Sequence, residues 1–250
     1  MFTFIRAWFW NKLRTRPPAS VNVRQSFVRP RLEALEDRMV PALTAQEHFV
    51  QALYAADLGR AGSLGELDGW VAVLNHSGGS RTLVAGAIAN SMEAHEDRVR
   101  GWYQTFLGRT PGRGEELGWV NMLQSQTHEQ VLSQILSGTE FIIRAQSLAP
   151  SGTPAQRFVE ALYPLLLGRT AGPMEVAGWL NQMQTIGARG VVMGILQSTE
   201  YRRDVVTTDY ITLLHRSPDL MGLNAWVSSR MDLGMVQVNI ESSMEFFTNG

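Results

Sequence analysis

Apolar residues recur with a helical period through most of the chain. One stripe, at spacings i, i+4, i+7 and i+8, contains Phe158, Leu162, Leu165 and Leu166, and a comparable stripe runs through residues 131–136. This spacing places the apolar side chains on one face of an α-helix. The pattern predicts an all-α protein built from short helices, with no sheet.

Four copies of one aromatic and charged pattern divide the chain into repeat units. In each copy an Arg follows a Tyr by six residues, a Trp follows ten residues later, and a Glu closes the unit. The sets are Tyr54, Arg60, Trp70 and Glu93 in unit 1; Tyr103, Arg109, Trp119 and Glu140 in unit 2; Tyr163, Arg169, Trp179 and Glu200 in unit 3; and Tyr210, Arg216, Trp226 and Glu245 in unit 4. Because the chain has only five Tyr and seven Trp, this agreement indicates true internal repetition.

The units form two duplicated pairs. Phe-Val-x-Ala-Leu-Tyr occurs at residues 49–54 and again at 158–163, an offset of 109 residues. A Pro- and Gly-containing stretch at 148–154 separates the pairs and predicts a linker. The expected organisation is a largely irregular basic segment at 1–42, a first repeat pair at 43–147, the linker, and a second pair at 155–250, with units of about 50 residues.

Glycine and serine residues predict the ends of several helices. Gly168 and its equivalents follow the first helix of a unit, where a left-handed residue often ends a helix, whereas the fourth unit has His215 there. Gly187, Gly190 and Gly194 are interpreted as sites of close helix contact or of a turn. The spacings Ser137 to Glu140 and Ser242 to Glu245 predict capping boxes.

The repeated residues are interpreted as a structural device used four times rather than as four ligand sites. Tyr and Trp supply large apolar surfaces, and the Arg is expected to stack on an aromatic ring or to form a buried pair with the closing Glu, as Arg169 with Glu200. The alternative, a ligand site in each unit, predicts that Arg169→Ala removes binding and leaves the melting curve unchanged.

No catalytic, cofactor-binding or metal-binding constellation stands out. The histidines are scattered without an HxxxH pair and are predicted at the surface or at helix ends; they are His48, His76, His95, His128 and His215. Glu115 and Glu116 are adjacent and are interpreted as a solvated first helical turn. We therefore expect no catalytic residue, no metal and no cofactor.

Charge separates an N-terminal segment from the rest of the chain. The 250 residues are 44% hydrophobic, contain no cysteine and carry a net charge of −1. Residues 1–42 hold eight basic and three acidic side chains, whereas residues 43–250 hold 14 basic and 20 acidic ones. The absence of cysteine excludes disulfides and thiolate sites. The acidic body disfavours nucleic-acid binding, because it would repel phosphate.

Part of the basic segment resembles the LEPR-XLL motif of bacterial exported proteins. The match consists of Leu32, Glu33, Leu35, Glu36 and Arg38, with Asp37 in place of the proline. The resemblance implies targeting to the envelope or the exterior. The alternative is a short docking helix, since Leu32, Leu35 and Met39 also fit one helix face.

The first sixteen residues support a further hypothesis of peripheral membrane contact. Phe2, Ile5, Trp8 and Phe9 fall on one side of a helix, with Arg6 and further cations nearby. Residues 1–16 would then lie at an anionic membrane surface, and the alternative is a disordered leader.

The repeats resemble domain of unknown function 4214, a helical module of large bacterial exported and surface proteins. The third unit carries the resemblance best, through Tyr163, Leu167-Gly168-Arg169, Gly178-Trp179 and Ser198-x-Glu200. The family is also distantly similar to phycobilisome linker domains, which are assembly modules. It supplies no catalytic residue.

The functional hypothesis is a non-enzymatic structural or interaction module of the bacterial cell envelope or surface. Stacked units expose repeated faces, through which we expect binding to an envelope protein or glycan, without nucleic acid. Self-association is a further hypothesis, because the end after Phe246 could receive a helix of a neighbouring chain. The alternative is an accessory component of a carbohydrate-active system with unrecognised enzyme activity.

Overall fold

A computed structural model describes residues 42–76, 78–149 and 151–249. Over these residues the protein consists of helices and connecting loops without a strand, and the prediction of an all-α fold is confirmed. The export motif at Leu32–Arg38 and the aromatic residues of 1–16 lie outside the described residues. No helix within the described part has both the length and the apolar character needed to cross a membrane.

Thirteen α-helices and one π-helical segment make up the described chain. They are α1 (Ala45–Asp57), α2 (Leu64–His76), α3 (Arg81–Ala89), α4 (Met92–Trp102) with the π segment Tyr103–Leu107, α5 (Leu117–Leu123), α6 (His128–Leu136), α7 (Thr139–Leu148), α8 (Pro154–Leu166), α9 (Pro173–Leu196), α10 (Thr199–Leu213), α11 (Leu220–Ser228), α12 (Leu233–Glu241) and α13 (Met244–Asn249). Each unit has a first helix that carries the Tyr, a second that carries the Trp, and a third that packs against another unit; in unit 3 the last two are merged in α9.

Side-chain caps explain where many of these helices begin. Thr44, Thr127 and Thr153 form capping boxes with Glu47, Gln130 and Gln156, respectively. The capping boxes predicted at Ser137 and Ser242 are wrong. Gly138 is the N-cap of α7 without a side-chain bond, and Ser243, not Ser242, accepts the Phe246 N–H.

The loop after the first helix of every unit passes through a left-handed residue. Gly59, Gly108 and Gly168 have φ angles of 59°, 70° and 64°, as predicted, and His215 has a φ of 54° at the equivalent position. A left-handed conformation is unfavourable for a residue with a Cβ atom. Unit 4 therefore folds like the others at a local cost in backbone energy.

The two pairs of units are joined by two equivalent interfaces. Between units 2 and 3, α7 packs on α8, with the Phe141 and Phe158 rings 6.0 Å apart. Between units 4 and 1, α13 packs on α1, with the Phe246 and Phe49 rings 6.1 Å apart. Phe49 and Phe158 differ by the 109-residue offset of the repeat, so the contacts are counterparts. The end after Phe246, expected to receive a neighbour's helix, is in contact with α1 of the same chain.

The third helices of the units extend both interfaces. Helix α6 packs on α9 between units 2 and 3, and α12 packs on α3 between units 4 and 1. The interface of units 2 and 3 is an apolar core that includes Leu132, Leu136, Leu162, Leu166 and Leu196, all 6% exposed or less. It is the burial of such side chains that mainly stabilises helices of this length.

Helix α9 contains a break that divides the second and third helices of unit 3. Gly187 has a φ of 68° inside it, where the chain turns before the Val191–Leu196 stretch enters the core. A Cβ on Gly194 would lie 2.6 Å from the Trp179 ring. Gly187 therefore allows the predicted turn, and Gly194 allows the predicted close contact between helices.

Candidate functional site

The signature residues of a unit lie together in one cluster, which we call the clamp. In unit 3, Trp179 Nε1 donates to the Tyr163 hydroxyl at 3.0 Å. The Arg169 guanidinium lies over the Tyr163 ring, 4.9 Å from its centre. Arg169 Nε also donates to Glu200 Oε1 at 2.5 Å, so the clamp ties the start of α10 to the end of α8. Arg169 thus stacks on the Tyr163 ring and also pairs with Glu200, whereas the sequence pattern led us to expect one contact or the other.

A second glutamate completes the clamp. Glu175 lies six residues after Arg169, and its carboxylate accepts two hydrogen bonds from Arg169, at 2.8 and 2.7 Å. Glu175 Oε2 also accepts from the Gly172 N–H at 2.7 Å, which fixes the first turn of α9. Arg169 is thus held between two carboxylates by charge-assisted bonds.

Units 1 and 2 repeat this arrangement. Arg60 lies 4.9 Å above the Tyr54 ring and Arg109 lies 5.0 Å above the Tyr103 ring. The carboxylate partners are Glu66 and Glu93 in unit 1, and Glu115 and Glu140 in unit 2. Trp70 and Trp119 donate to the Tyr hydroxyls at 2.9 Å. Units 1 and 2 therefore form the same clamp as unit 3.

Unit 4 lacks the second glutamate. Arg216 donates to Glu245 and lies 5.1 Å above the Tyr210 ring, while Trp226 Nε1 donates to the Tyr210 hydroxyl at 3.1 Å. The position six residues after Arg216 is Gly222, and Asp219 caps α11 instead. The fourth clamp therefore has one carboxylate on its Arg.

The ion pairs of the clamp are half-exposed rather than buried, which corrects the expectation for Arg169 and Glu200. Their side chains are 38% and 41% exposed. Hydrogen bonds from Arg169 lower the pKa of Glu175 to about 2 and also lower the pKa of Glu200. These carboxylates are ionised over the ordinary pH range and cannot serve as proton donors there.

Sequence reasoning missed the second glutamate, although its spacing contains a usable signal. Glu66, Glu115 and Glu175 all follow the clamp Arg by six residues. The interpretation of Glu115 and Glu116 as a solvated turn was wrong for Glu116, whereas Glu115 is exposed. Glu115 belongs to the clamp of Arg109, whereas Glu116 is buried and pairs with Arg100 at 3.1 Å.

An open groove lies beside the clamp of unit 3. It has a volume of about 330 Å³ and is lined by Gly178, Trp179, Gln182 and Ser198 together with the clamp glutamates. A Cβ on Gly178 would have no atom within 4 Å, and the same holds for the equivalent Gly69 and Gly118. Nothing in the described chain therefore occupies the space above these glycines.

A second cluster of polar groups lies between the two pairs of units. A cavity of about 140 Å³ is lined by residues of α4, α6, α10 and α12, including Arg98, His128, Glu129 and Asp209. His95 is 1% exposed next to this region, so its predicted surface position is wrong. Burial lowers the pKa of His128 to about 3, so this imidazole is neutral. No group of three His, Asp or Glu that could hold a metal ion occurs within the described ranges.

Comparison with known proteins identifies the repeat. Residues 41–98 and 146–205 match the family model described as a domain of unknown function (DUF4214), which covers the clamp residues Tyr54 to Glu93 and Tyr163 to Glu200. No curated protein and no solved structure matches the chain. The two matched regions begin 105 residues apart and each starts one of the duplicated pairs. The chain is therefore a helical repeat protein that carries DUF4214 domains, at residues 41–98 and 146–205.

Proposed function

We propose that the protein is a non-enzymatic structural or interaction module of the bacterial cell envelope or surface, which binds an envelope protein or glycan through the groove beside its clamps. The observation that carries this proposal is the open glycine. In units 1 to 3 an exposed glycine precedes the clamp Trp, and no atom lies within 4 Å of the position that a Cβ would take. Glycine inside a helix costs about 0.5–1 kcal/mol relative to alanine, and the fold itself receives no packing contact in return.

We attribute this cost in helix stability to the access that a glycine gives an external chain to the helix backbone. Without a Cβ, the helix backbone at Gly178 can be approached closely, next to the partly exposed Trp179 ring. The clamp holds this ring in place through its bond to Tyr163. Repetition in three units supports several equivalent contacts with one partner, which add avidity.

Site-specific crosslinking in the native host tests the interaction. A photoreactive side chain at Gly178 should capture an envelope protein or glycan, and the same side chain at exposed Ser151 is the matched control. Equal capture at both positions, or none at Gly178, contradicts binding through the groove. Gly178→Ala is expected to raise thermal stability, because the substitution favours the helix.

Localisation needs a separate measurement. Fractionation of native cells, with the N-terminus of the protein mapped by mass spectrometry in each fraction, should give an envelope or secreted species. A species that begins near Leu43 would support targeting by the basic segment. An exclusively cytoplasmic species that begins at Met1 would contradict the export proposal.

The alternative is an accessory role in a carbohydrate-active system. It is favoured by the combination of Trp179 with two carboxylates beside the 330 Å³ groove. Since Arg169 holds Glu175 and Glu200 ionised, neither provides a general acid at neutral pH. A glycan array with wild type and Trp179→Ala, followed by a turnover assay on any bound sugar, distinguishes glycan binding from catalysis.

A further inference from the structure

The two equivalent interfaces differ at three matched positions. In the interface of units 2 and 3 these positions hold Leu132, Leu136 and Leu166, which are packed in the apolar core. At the same repeat positions, the interface of units 4 and 1 holds Gln237, Glu241 and Asp57. One interface is therefore closed by leucines and the other by an amide and two carboxyl groups.

The carboxyl groups of Asp57 and Glu241 form a pair at the C-terminal end of α12. Gln237 Nε2 donates to Asp57 Oδ1 at 2.9 Å and to Glu241 Oε1 at 2.7 Å, which brings the carboxyl groups together. Their other oxygens, Asp57 Oδ2 and Glu241 Oε2, are buried and meet no donor in the described part of the chain. The shared Gln237 donor therefore holds the two carboxyl groups side by side. Two buried carboxyl groups in this position repel each other when both are ionised, whereas one proton lets the first donate to the second.

A second carboxyl pair lies at the N-terminal end of the same helix. Glu129 at the start of α6 accepts the Leu233 N–H at 3.0 Å, while Asp232 caps α12 by accepting the Met235 N–H at 3.1 Å. Because Leu233 directly follows Asp232 in the chain, this contact brings the Glu129 carboxyl group next to Asp232. Glu129 Oε2 and Asp232 Oδ2 are again buried with no donor among the described residues. A shared proton likewise relieves the repulsion within this pair.

We propose that the two carboxyl pairs form a proton-dependent clasp that holds α12 against units 1 and 2 and opens as the pH rises. Loss of the shared protons replaces two hydrogen bonds by repulsion between buried carboxylates. Unit 4 is then released along α12, whose residues Val236, Val238 and Ile240 are all 3% exposed or less.

The surrounding charges do not neutralise both pairs. Arg98 from α4 faces the Asp57 and Glu241 pair, but Asp209 from α10 faces the same pair and shares that cation. Arg202 from α10 lies 3.9 Å from Glu129 and donates to the backbone carbonyls of residues 226 and 227.

The neutral groups around the N-terminal pair complete this environment. His128 faces Asp232, with His95 beside it, and the Tyr201 hydroxyl lies near Glu129. With five carboxyl groups and two arginines, the full set would carry a net charge of −3 if every carboxyl were ionised.

The pKa values agree with the geometry. Burial raises the pKa of Asp57 to about 6 and that of Glu129 to about 7, and it raises the pKa of Glu241 as well. Burial opposes ionisation of Asp232 too, but its bond with Glu129 lowers its pKa, so that pair holds one proton. A carboxyl whose pKa is raised by folding stabilises the protein below its unfolded pKa and loses that contribution as the pH rises through the folded value.

Isosteric variants of the full chain test the clasp, because the pH dependence of the unfolding constant gives the number of protons that unfolding releases. In Glu241→Gln or Glu129→Gln a permanent amide donor replaces the shared proton. We expect the unfolding constant of wild type, relative to each variant, to rise about tenfold per pH unit between about pH 5 and pH 6, equal to one proton. The lowered pKa values of His95 and His128 give the opposite slope, but both histidines remain in every variant and cancel. Glu66→Gln is the matched control and should leave the slope unchanged.

Hydrogen exchange locates the opening without any substitution. After correction for intrinsic exchange, protection of the α12 amides should fall at least about tenfold between about pH 5 and pH 8, whereas α8 amides keep their protection. Equal changes in α12 and α8, or Gln variants with the wild-type slope, would overturn the clasp. If a variant does not fold, the exchange measurement on wild type decides alone.

Discussion

The interface of units 2 and 3 and the interface of units 4 and 1 are formed by equivalent helices. One interior is apolar, whereas the other contains an amide and two carboxyl groups. Both place a phenylalanine pair between a closing helix and a first helix, at 6.0 and 6.1 Å. At the three matched positions beside that pair, leucines close one interface, and Asp57, Gln237 and Glu241 close the other. A helical backbone geometry can thus be kept while its source of stability changes from apolar burial to a hydrogen-bonded polar group.

The same comparison separates two kinds of carboxyl group. Clamp glutamates such as Glu175 are half-exposed, bonded to Arg and ionised, with a pKa lowered to about 2. The interface carboxyls are buried beside each other, and burial raises the pKa of Asp57 to about 6. The clamps therefore lose their contribution when the pH falls below the unfolded glutamate value, whereas the interface loses its contribution when the pH rises.

The largest expected loss of stability comes from placing an ionisable residue in the apolar interface of units 2 and 3. Leu136→Glu introduces into unit 2 the residue that unit 4 has at the matched position. Leu136 is fully buried in the apolar core, so we expect a loss of about 4 kcal/mol or more in the free energy of unfolding. Urea unfolding at pH 7 measures the loss, and Leu117→Glu at an exposed site of the same unit is the control. A loss below about 1 kcal/mol would show that the two interiors are interchangeable.

The reverse transfer should stabilise the protein. Asp57→Leu combined with Gln237→Leu and Glu241→Leu gives the interface of units 4 and 1 the leucines of its counterpart at all three matched positions. Replacing a buried charged network by packed apolar residues is neutral or stabilising by about 1–4 kcal/mol, and the gain should be larger at pH 8 than at pH 5. Thermal unfolding at both pH values tests this prediction. A gain that does not depend on pH would contradict protonation of the pair.

Removal of a clamp should have a smaller effect, because its ion pairs are half-exposed. Arg169→Ala removes the contact with the Tyr163 ring and leaves Glu175 and Glu200 without their shared cation. We expect a loss of about 1–2 kcal/mol, since exposed ion pairs contribute little and the buried part of the Arg side chain contributes more. Calorimetry measures the loss, and exposed Arg113→Ala is the control. An unchanged melting curve accompanied by loss of partner binding would favour a ligand site in the clamp.

The smallest expected effect concerns the left-handed residue. His215→Gly should stabilise unit 4 by about 1 kcal/mol, because glycine adopts the φ of 54° without steric cost. Gly168→Ala in unit 3 should cost about the same amount, since no atom lies within 4 Å of the added Cβ and only the backbone is strained. Matched urea titrations of the two variants compare the units. Changes of the same sign in both would contradict this explanation.

The helical class, the four units and the left-handed loop position could be predicted because each depends on local or periodic information. The all-α fold follows from stripes such as Phe158 to Leu166, and the left-handed loop from Gly168. The second clamp glutamate was also within reach, because Glu66, Glu115 and Glu175 keep one spacing from the Arg. It was missed because adjacent acidic residues were interpreted as solvated.

The sequence contained a weaker signal for the polar interface between units 4 and 1. Aligned by the repeat offsets, Asp57 and Glu241 fall where the other pair of units has leucines, so the departure from the apolar pattern is visible in the sequence. That these residues meet each other is not visible, because they are 184 positions apart and belong to different units. Their pairing depends on the packing of α12 between α3, α6 and α10.

By itself, the sequence determined the helices, their repetition and the composition of each clamp, since the hydrogen bonds and apolar stripes that define them recur at constant spacing. Only the tertiary structure decided that unit 4 packs back on unit 1, that the clamps are half-exposed, and that two pairs of acidic residues meet at the ends of α12. The physical reason is that burial and the meeting of like charges are properties of the packed chain. They set the protonation state of a carboxyl group, whereas its residue type and local spacing do not.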